Sequence, residues 1–334
     1  MATIYQVSEL AGVSLATVSR VVNGGTKVSE KTHKKVTDAI EKLNYRPNSM
    51  ARSLASNCSN SVGILVSELH GPIYGEMMSG IEEQLRTSGK HVIIAAGHSD
   101  EESEKDGIEF LISRNCDALI LHVEAVSDEY LLELNDSPTP FVLINRVLPA
   151  LQDNCISLDN HRGGYIATKS LLEKGHREIA YISGPLWKTD ARERYEGHQE
   201  AMAEFGLSSN EELRYEGDFQ EQGGSIGMGK LLQKGIPFSA VVCANDETAA
   251  GAMHSARGQG LSIPKDISII GFDNTSYAHY LYPKLCTIDY PVHSMGRMAA
   301  QWVLKNIYKV NLPNFKNVFE PKLVWRDSVL AINS

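Results

Sequence analysis

Eight short apolar runs between residues 61 and 274, most of them separated by a helical pattern, constrain this chain more than any other feature. They are SVGILVSEL (61–69), HVIIAAG (91–97), DALILHV (117–123), PFVLINR (140–146), CISLDN (155–160), EIAYISG (178–184), SAVVCAN (239–245) and ISIIGFDN (267–274). A strand with one wet face alternates apolar and polar residues. These runs are nearly continuous, as strands are when a parallel sheet is covered on both faces. Several helical segments end at a glycine before the next strand, at Gly89, Gly175, Gly206 and Gly260. Strands alternating with helices give an α/β fold. Eight units exceed one doubly wound sheet of usual size, so two doubly wound parallel-sheet subdomains with a cleft between them are expected.

In such folds ligands sit beyond the carboxyl ends of the strands. Four of the runs end in Asn145-Arg146, Asp159, Asn245-Asp246 and Asp273-Asn274. Any one of these pairs is equally a helix cap or a turn. Together, with no catalytic set among them, they point to a cleft for a polyol. Amides and carboxylates engage neighbouring hydroxyls there, and an aromatic face packs on the ring. Tyr74, Trp187, Phe219 and Tyr290 are the candidate aromatics, and Arg194 is a candidate bidentate donor.

Enzyme readings find no residues to stand on. GSIGMGK (224–230) has the GxxxxGK spacing, but Leu231 stands where the magnesium-binding hydroxyl belongs. Ile226, Leu231 and Leu232 suggest a helix face there instead. No metal-binding histidine spacing and no GxSxG elbow occurs, so no catalytic residue, metal or cofactor is expected. The five scattered cysteines form no CxxC pair, which fits a reduced compartment. No signal peptide and no apolar run of about 18 residues is visible, so a cytoplasmic protein without a membrane role is expected.

The amino-terminal segment is different. Thr3 and Gln6 fit a capping box, followed by Ile4, Val7, Leu10 and Ala11 at helical spacing. Gly12 ends that helix, and Ser14 caps a second one with Val18, Val21 and Val22 inward. Helix, tight turn and capped helix form the helix-turn-helix pattern, although the stretch alone would also suit a hairpin in any small bundle. Its second helix can lie in a DNA major groove, with Leu15, Ala16 and Arg20 toward base edges. Thr3, Tyr5, Ser14, Thr17, Ser19 and Asn23 flank it and suit phosphate oxygens. Ser29 caps a third helix, which shares a core of Val7, Ala11, Val18, Val22, Val36, Ile40 and Leu43. Beyond Pro47 a short helix can start at Asn48 and present Leu54 to a minor groove as an apolar wedge. The same stretch also reads as a plain linker. Charge supports the DNA reading. Residues 1–57 carry eight Lys/Arg against four Asp/Glu, net +4; the remainder carries 24 against 37, net −13.

Over nearly its whole length the chain resembles the lactose/galactose repressor family. The stretches that carry this are ATIYQVSELAGVSLATVSRVVNG, YRPNSMARSLA, GHREIAYISGP, VVCANDETAAGAM, ISIIGFDN and LVWRDS. VLINRVLPALQDNCISLD, CTIDYP and NVFEPKLVWRDSV are most like the galactose repressor and isorepressor branch. The resemblance implies a helix-turn-helix domain over 1–46, a hinge helix over 47–60, and a periplasmic-binding-protein-like body over 61–334. That body would divide into an N-subdomain (about 61–159 and 291–320) and a C-subdomain (about 160–290 and 321–334). It implies operator contacts from the head residues named above, extended to Ser29, Thr32, Asn48, Ala51 and Leu54. It implies a sugar effector of the galactose type held by Tyr74, Asn145, Arg194, Phe219, Asn245, Asp273 and Tyr290. It also implies a homodimer on a palindromic operator, without the extra carboxyl-terminal helix that makes tetramers. Two stretches depart from the branch. Leu15-Ala16 replaces its usual Val-Ala, and His70-Gly71-Pro72-Ile73-Tyr74 replaces an Asp-Pro-Phe-Phe stretch at the cleft edge. The rival expectation is a sugar-binding transport or sensor protein with no DNA role.

Overall fold

The computed structural model describes residues 2–22, 28–46, 58–312 and 316–332. They fall into two compact units, Met1–Asn60 and Ser61–Ser334.

The first unit holds α1 (Ile4–Ala11), α2 (Leu15–Val22) and α3 (Glu30–Lys42). The capping box forms: the Gln6 amide donates to Thr3 Oγ1, and the Thr3 amide donates to Gln6 Oε1. Gly12 closes α1 at φ 63°, a left-handed conformation open to glycine without steric cost. The Thr17 amide donates to Ser14 Oγ at 3.2 Å, and the Thr32 amide to Ser29 Oγ at 3.4 Å. Val7, Ala11, Val18, Val21, Val36 and Ala39 are buried, with Val22, Ile40 and Leu43 half-buried against them. Leu10, read as part of the inner face, lies 44% exposed instead. The operator contacts expected from Asn23, Asn48, Ala51 and Leu54 lie outside the described residues, as does most of the hinge.

The second unit contains two six-stranded sheets. The first orders its strands β11-β5-β4-β3-β1-β2, from β1 (Ser61–Val66), β2 (His91–Ala96), β3 (Ala118–Leu121), β4 (Phe141–Ile144), β5 (Cys155–Leu158) and β11 (Val318–Phe319). The second orders them β12-β10-β9-β8-β6-β7, from β6 (Ile179–Ser183), β7 (Arg214–Glu216), β8 (Ala240–Cys243), β9 (Ser268–Asp273), β10 (Cys286–Asp289) and β12 (Lys322–Val324). All pairings are parallel except β12 with β10. All eight apolar runs are strands, and β1, β3, β4, β5, β6, β8 and β9 are buried along nearly their whole length. The helices α4 (Pro72–Arg86), α5 (Glu101–Ser113), α6 (Asp128–Asn135) and α12 (Val292–Asn306) belong with the first sheet. The helices α7 (Asn160–Glu173), α8 (Thr189–Glu204), α9 (Glu221–Gln233), α10 (Asp246–Gly258) and α11 (Ser276–Tyr280) belong with the second. The chain thus passes between the sheets after β5, after β10 and between β11 and β12.

The stretch that mimics a phosphate loop lies inside α9. Leu231 is buried, but Ile226 points outward, 43% exposed, rather than into the expected inner face. None of the five cysteines forms a disulfide, and four are buried. No helix among the described residues is long and apolar enough to cross a membrane.

Candidate functional site

The carboxyl ends of strands from both sheets converge on one cleft. Parallel strands carry their carboxyl ends to one edge of each sheet, so the residues that follow them are brought together there. All seven residues expected to hold an effector line this cleft: Tyr74, Asn145, Arg194, Phe219, Asn245, Asp273 and Tyr290. Trp187 does not line it and is 53% exposed.

Arg194 is the electrostatic centre. It projects from α8 and is 3% exposed. Its Nε donates to Asn160 Oδ1 at 2.9 Å, and its Nη1 donates to the Ala244 carbonyl at 2.8 Å. The guanidinium lies 3.7 Å from the centroid of the Phe272 ring. Asp273 Oδ1 stands 3.6 Å from Nη1, and Asp190 Oδ2 stands 4.0 Å from Nη2. A buried charge is tolerable only when paired and hydrogen-bonded in this way. Burial pushes the Asp273 carboxyl well above its ordinary value, partly countered by Arg194. Asp273 Oδ1 and the Tyr290 hydroxyl are buried with no hydrogen-bond partner among the described residues. Both belong to cleft-lining side chains, so a polyol hydroxyl has two orphaned groups to satisfy.

Three cleft residues hold positive φ without being glycine: Asn145 (62°), Phe219 (68°) and Asp273 (107°). Asparagine tolerates this region, whereas phenylalanine and aspartate hold it at a cost the surroundings must offset. The Phe219 ring is seated over Gly184, where a Cβ would come within 2.4 Å of it. Gly71 begins α4 at φ 89°, which only glycine adopts easily, and so brings Ile73 and Tyr74 to the cleft edge.

The cap readings also hold. The Asn245 Oδ1 accepts from the Thr248 amide at 2.8 Å, capping α10, while its Nδ2 donates to the Phe219 carbonyl at 2.9 Å. One side chain therefore starts a helix and fixes the aromatic loop. Asp159 caps α7 through the Arg162 amide at 2.8 Å, and Asn274 bonds Asp289 and Arg326. Asp246 is wholly buried against Thr275 and Thr287. These three do not line the main cleft.

Sequence reasoning missed the charged rim. Lys188, which precedes α8, pairs with Glu124 Oε2 at 2.6 Å and donates to Ser99 Oγ at 3.0 Å, tying the two subdomains together. Burial works to raise the Glu124 carboxyl, yet His122 and Lys188 hold it below its ordinary value. Glu247 is pushed up to about 7, first by burial and then by Glu221 and Asp246. Glu68 and Asp218 also line the cleft. With Asp190 and Asp273, the lining carries six carboxyl side chains against Lys188 and Arg194, and both cations are already paired.

The first unit presents a separate candidate surface for nucleic acid. Tyr5 is 69% exposed and Leu15 37%, and Ala16 and Arg20 are exposed on α2. Lys31, Lys34, Lys35 and Lys42 lie on the outside of α3. Thr3, Ser14 and Ser29 are exposed but already serve as caps, while Thr17, Ser19 and Thr32 are half-buried. Each capping hydroxyl keeps hydrogen-bonding capacity for a further partner.

Comparison with known proteins gives a consistent picture. Residues 3–48 match the description of bacterial regulatory proteins of the lacI family, and residues 168–329 that of a periplasmic binding protein-like domain. The chain is 40% identical over 329 residues to the HTH-type transcriptional regulator GalR of Escherichia coli (strain K12), covering 98% of this chain and 96% of that protein. It is 34% identical over 333 residues to the ribose operon repressor of Haemophilus influenzae, covering 99% and 100%. The solved lac repressor dimer bound to operator and the anti-inducer ONPF matches with a TM-score of 0.88 at 28% identity, over 99% of both chains.

Proposed function

The chain belongs to the lacI family of bacterial regulatory proteins, which are DNA-binding transcriptional regulators and not enzymes, and on that premise we propose a specific reading. It is a cytoplasmic repressor that binds a palindromic operator as a homodimer. An unphosphorylated sugar of the galactose type, held in the cleft, weakens that binding. The observation that carries the ligand class is the cleft itself: two buried orphaned polar groups, several amides, three aromatic rings and a surplus of carboxylates. A neutral polyol satisfies all of them, whereas a phosphate would face uncompensated negative charge.

Arg20 and the Leu15-Ala16 pair read bases, with leucine packing on a thymine methyl and arginine taking a guanine edge. Asn23, Asn48, Ala51 and Leu54 add operator contacts. Tyr280 and Tyr282, 88% and 87% exposed, and the outward Ile226 supply apolar surface suited to a second copy of the chain. The test is calorimetric titration of the full chain with galactose, followed by operator binding with and without it. Binding of galactose with loss of operator affinity supports the reading, and a silent titration sinks the galactose assignment. Arg20→Ala should remove operator preference and leave galactose binding intact; retained preference would remove Arg20 from the base-reading role.

A further inference from the structure

Lys188 and Glu124 stand on opposite subdomains. Lys188 precedes α8 beside the second sheet, and Glu124 follows β3 of the first. Lys188 Nζ lies 2.6 Å from Glu124 Oε2, with each side chain only 12% exposed. Ser99, from the turn after β2, completes the group. Its Oγ donates to Glu124 Oε2 at 2.7 Å and accepts from Lys188 Nζ at 3.0 Å. Three mutual charge-assisted contacts shielded from water form a firmer link than an exposed ion pair, which contributes little. By comparison, the bond across the cleft from Asn145 Nδ2 to Asp190 Oδ2 is 3.4 Å long.

The first-sheet half of this group is built in advance. His98 and Ser99 hold φ of 53° and 50°, two successive left-handed residues without a glycine. That conformation costs free energy which the surroundings must offset. Behind the turn, Glu104 on α5 is fully buried and accepts from the amides of Glu124, Ala125 and Val126 at 2.8, 2.9 and 2.8 Å. Gly97 leaves room for it, since a Cβ there would come within 2.5 Å of Glu104 Cγ. The receiving loop is therefore already ordered when Lys188 meets it, and little conformational entropy opposes the contact. On the other half, Lys188 leads directly into α8, which carries Asp190 and Arg194 to the cleft.

We infer that Ser99, Glu124 and Lys188 are a clasp that holds the cleft closed by protein contacts alone, with Glu104 as the residue that positions it. A sugar that touches Tyr74 and Asn145 on one side and Arg194 and Asp273 on the other needs the closed arrangement. Its apparent affinity is the intrinsic one multiplied by the fraction of molecules already closed. The clasp raises that fraction before any sugar binds. The effect on affinity rests on the sugar reading proposed above; the clasp itself does not.

The experiment measures hydrogen exchange in the full chain without sugar, and galactose affinity by calorimetry, for Glu124→Gln, Lys188→Met and Ser99→Ala. A clasp deprotects the side opposite the substitution. Glu124→Gln should speed exchange of the Lys188 and Arg192 amides, bonded to Pro185 O and Lys188 O at 3.0 and 3.1 Å, by about tenfold. Lys188→Met should do the same for the amides of Asp100 and Glu124. Combining the two substitutions should add little to either alone. Ser99 does not line the cleft, so Ser99→Ala should weaken galactose by about threefold through the closed fraction alone. Deprotection confined to the substituted side overturns the clasp, as does galactose affinity unchanged by Ser99→Ala in a chain that binds galactose. If the parent chain binds no galactose, the sugar reading falls and the exchange data alone decide the clasp.

Discussion

Arg194 and Asp273 show why a buried ion pair here serves binding more than stability. Each carboxylate or guanidinium withdrawn from water is costly, and the pair recovers that cost only through its surrounding hydrogen bonds. Asp273 keeps one oxygen without a hydrogen-bond partner, so its interactions are completed only when a ligand arrives. Asp273→Ala should therefore weaken sugar binding by about 1.5–3 kcal/mol, roughly ten- to a hundredfold, with operator affinity unchanged. A normal sugar response in that variant would mean that the cleft is not the effector site. Asp246 is the stability counterpart. Burial raises its carboxyl from 3.8 to about 7, although Thr287 and Thr275 work to lower it. A carboxyl whose folded value is raised favours the folded state most at low pH, and that contribution is lost as pH climbs from about 4 to about 7. Asp246→Asn keeps an acceptor for the Thr275 amide and gains a donor toward Thr287 Oγ1. The stability difference between variant and parent should thus shift in the variant's favour by on the order of 1 kcal/mol per pH unit across that window. Urea midpoints measured from pH 4 to 8 check it, and a difference flat with pH would exclude Asp246 as the titrating group. Of these residues, the strand-end rule made Asp273 visible in the sequence. Lys188, Glu124 and Glu247 were not, because their roles come from neighbours across the cleft and not from local pattern. Glu104 is a sharper case. EESEKDG looks like a solvated helix face, yet its Glu104 is fully buried and accepts from the amides of Glu124, Ala125 and Val126.

Three helix pairs in the second unit approach closely through reciprocal glycines. A Cβ on Gly80 or Gly296 would meet His293 O at 2.2 Å or Met77 O at 2.4 Å, which locks α4 to α12. Gly164 and Gly197 do the same for α7 and α8, at 1.9 Å from Arg194 O and 2.0 Å from His161 O. Gly224 and Gly251 serve α9 and α10, at 2.0 Å from Thr248 O and 1.8 Å from Glu221 O. Backbone meets backbone, so an added methyl group has nothing flexible to displace. Gly251→Ala should cost about 1–3 kcal/mol, as overpacked cores do. Gly229, on the same helix as Gly224, has only ordinary contacts at 3.6 and 3.9 Å, so Gly229→Ala should gain about 0.5–1 kcal/mol from helix propensity. Opposite shifts in thermal midpoint are the expected signature, and equal shifts would show that close approach is not what the glycine provides. These contacts also explain part of the false phosphate loop: in GSIGMGK, Gly224 serves the helix crossing and Gly227 makes room for Tyr215 and Ile182, while Gly229 has no such role. The eight strands were legible because each is a long apolar run. β7, β10, β11 and β12 were not, since each has only two to four residues and is a strand because its neighbours complete it. The three helices of the first unit were legible from their caps, where the sequence rule and the hydrogen bond are the same object.

The charge of the chain is divided as its units are, with +4 over residues 1–57 and −13 over the rest. The two ligands of the proposed repressor therefore differ in how salt affects them. Phosphate contacts release counterions, so operator affinity should fall steeply between about 50 and 200 mM salt. A neutral sugar in a cleft carries no such dependence. What links the two is a coupling free energy, commonly about 1–3 kcal/mol, which corresponds to roughly 5–150-fold in affinity. Linkage makes that factor reciprocal: if the sugar weakens the operator by a given factor, saturating operator must weaken the sugar by the same factor. The factor reflects differential affinity for two arrangements of the body and not direct charge repulsion between ligands. It should therefore stay constant while operator affinity itself falls by orders of magnitude with salt. The measurement is a pair of titrations at each of several salt concentrations, sugar into protein with and without operator, and operator into protein with and without sugar. Equal factors independent of salt would establish that the cleft and the head are two sites on one conformational equilibrium. A factor that shrinks as salt rises would instead mean that the sugar acts by changing the electrostatics of the DNA surface, and the allosteric reading would have to be abandoned.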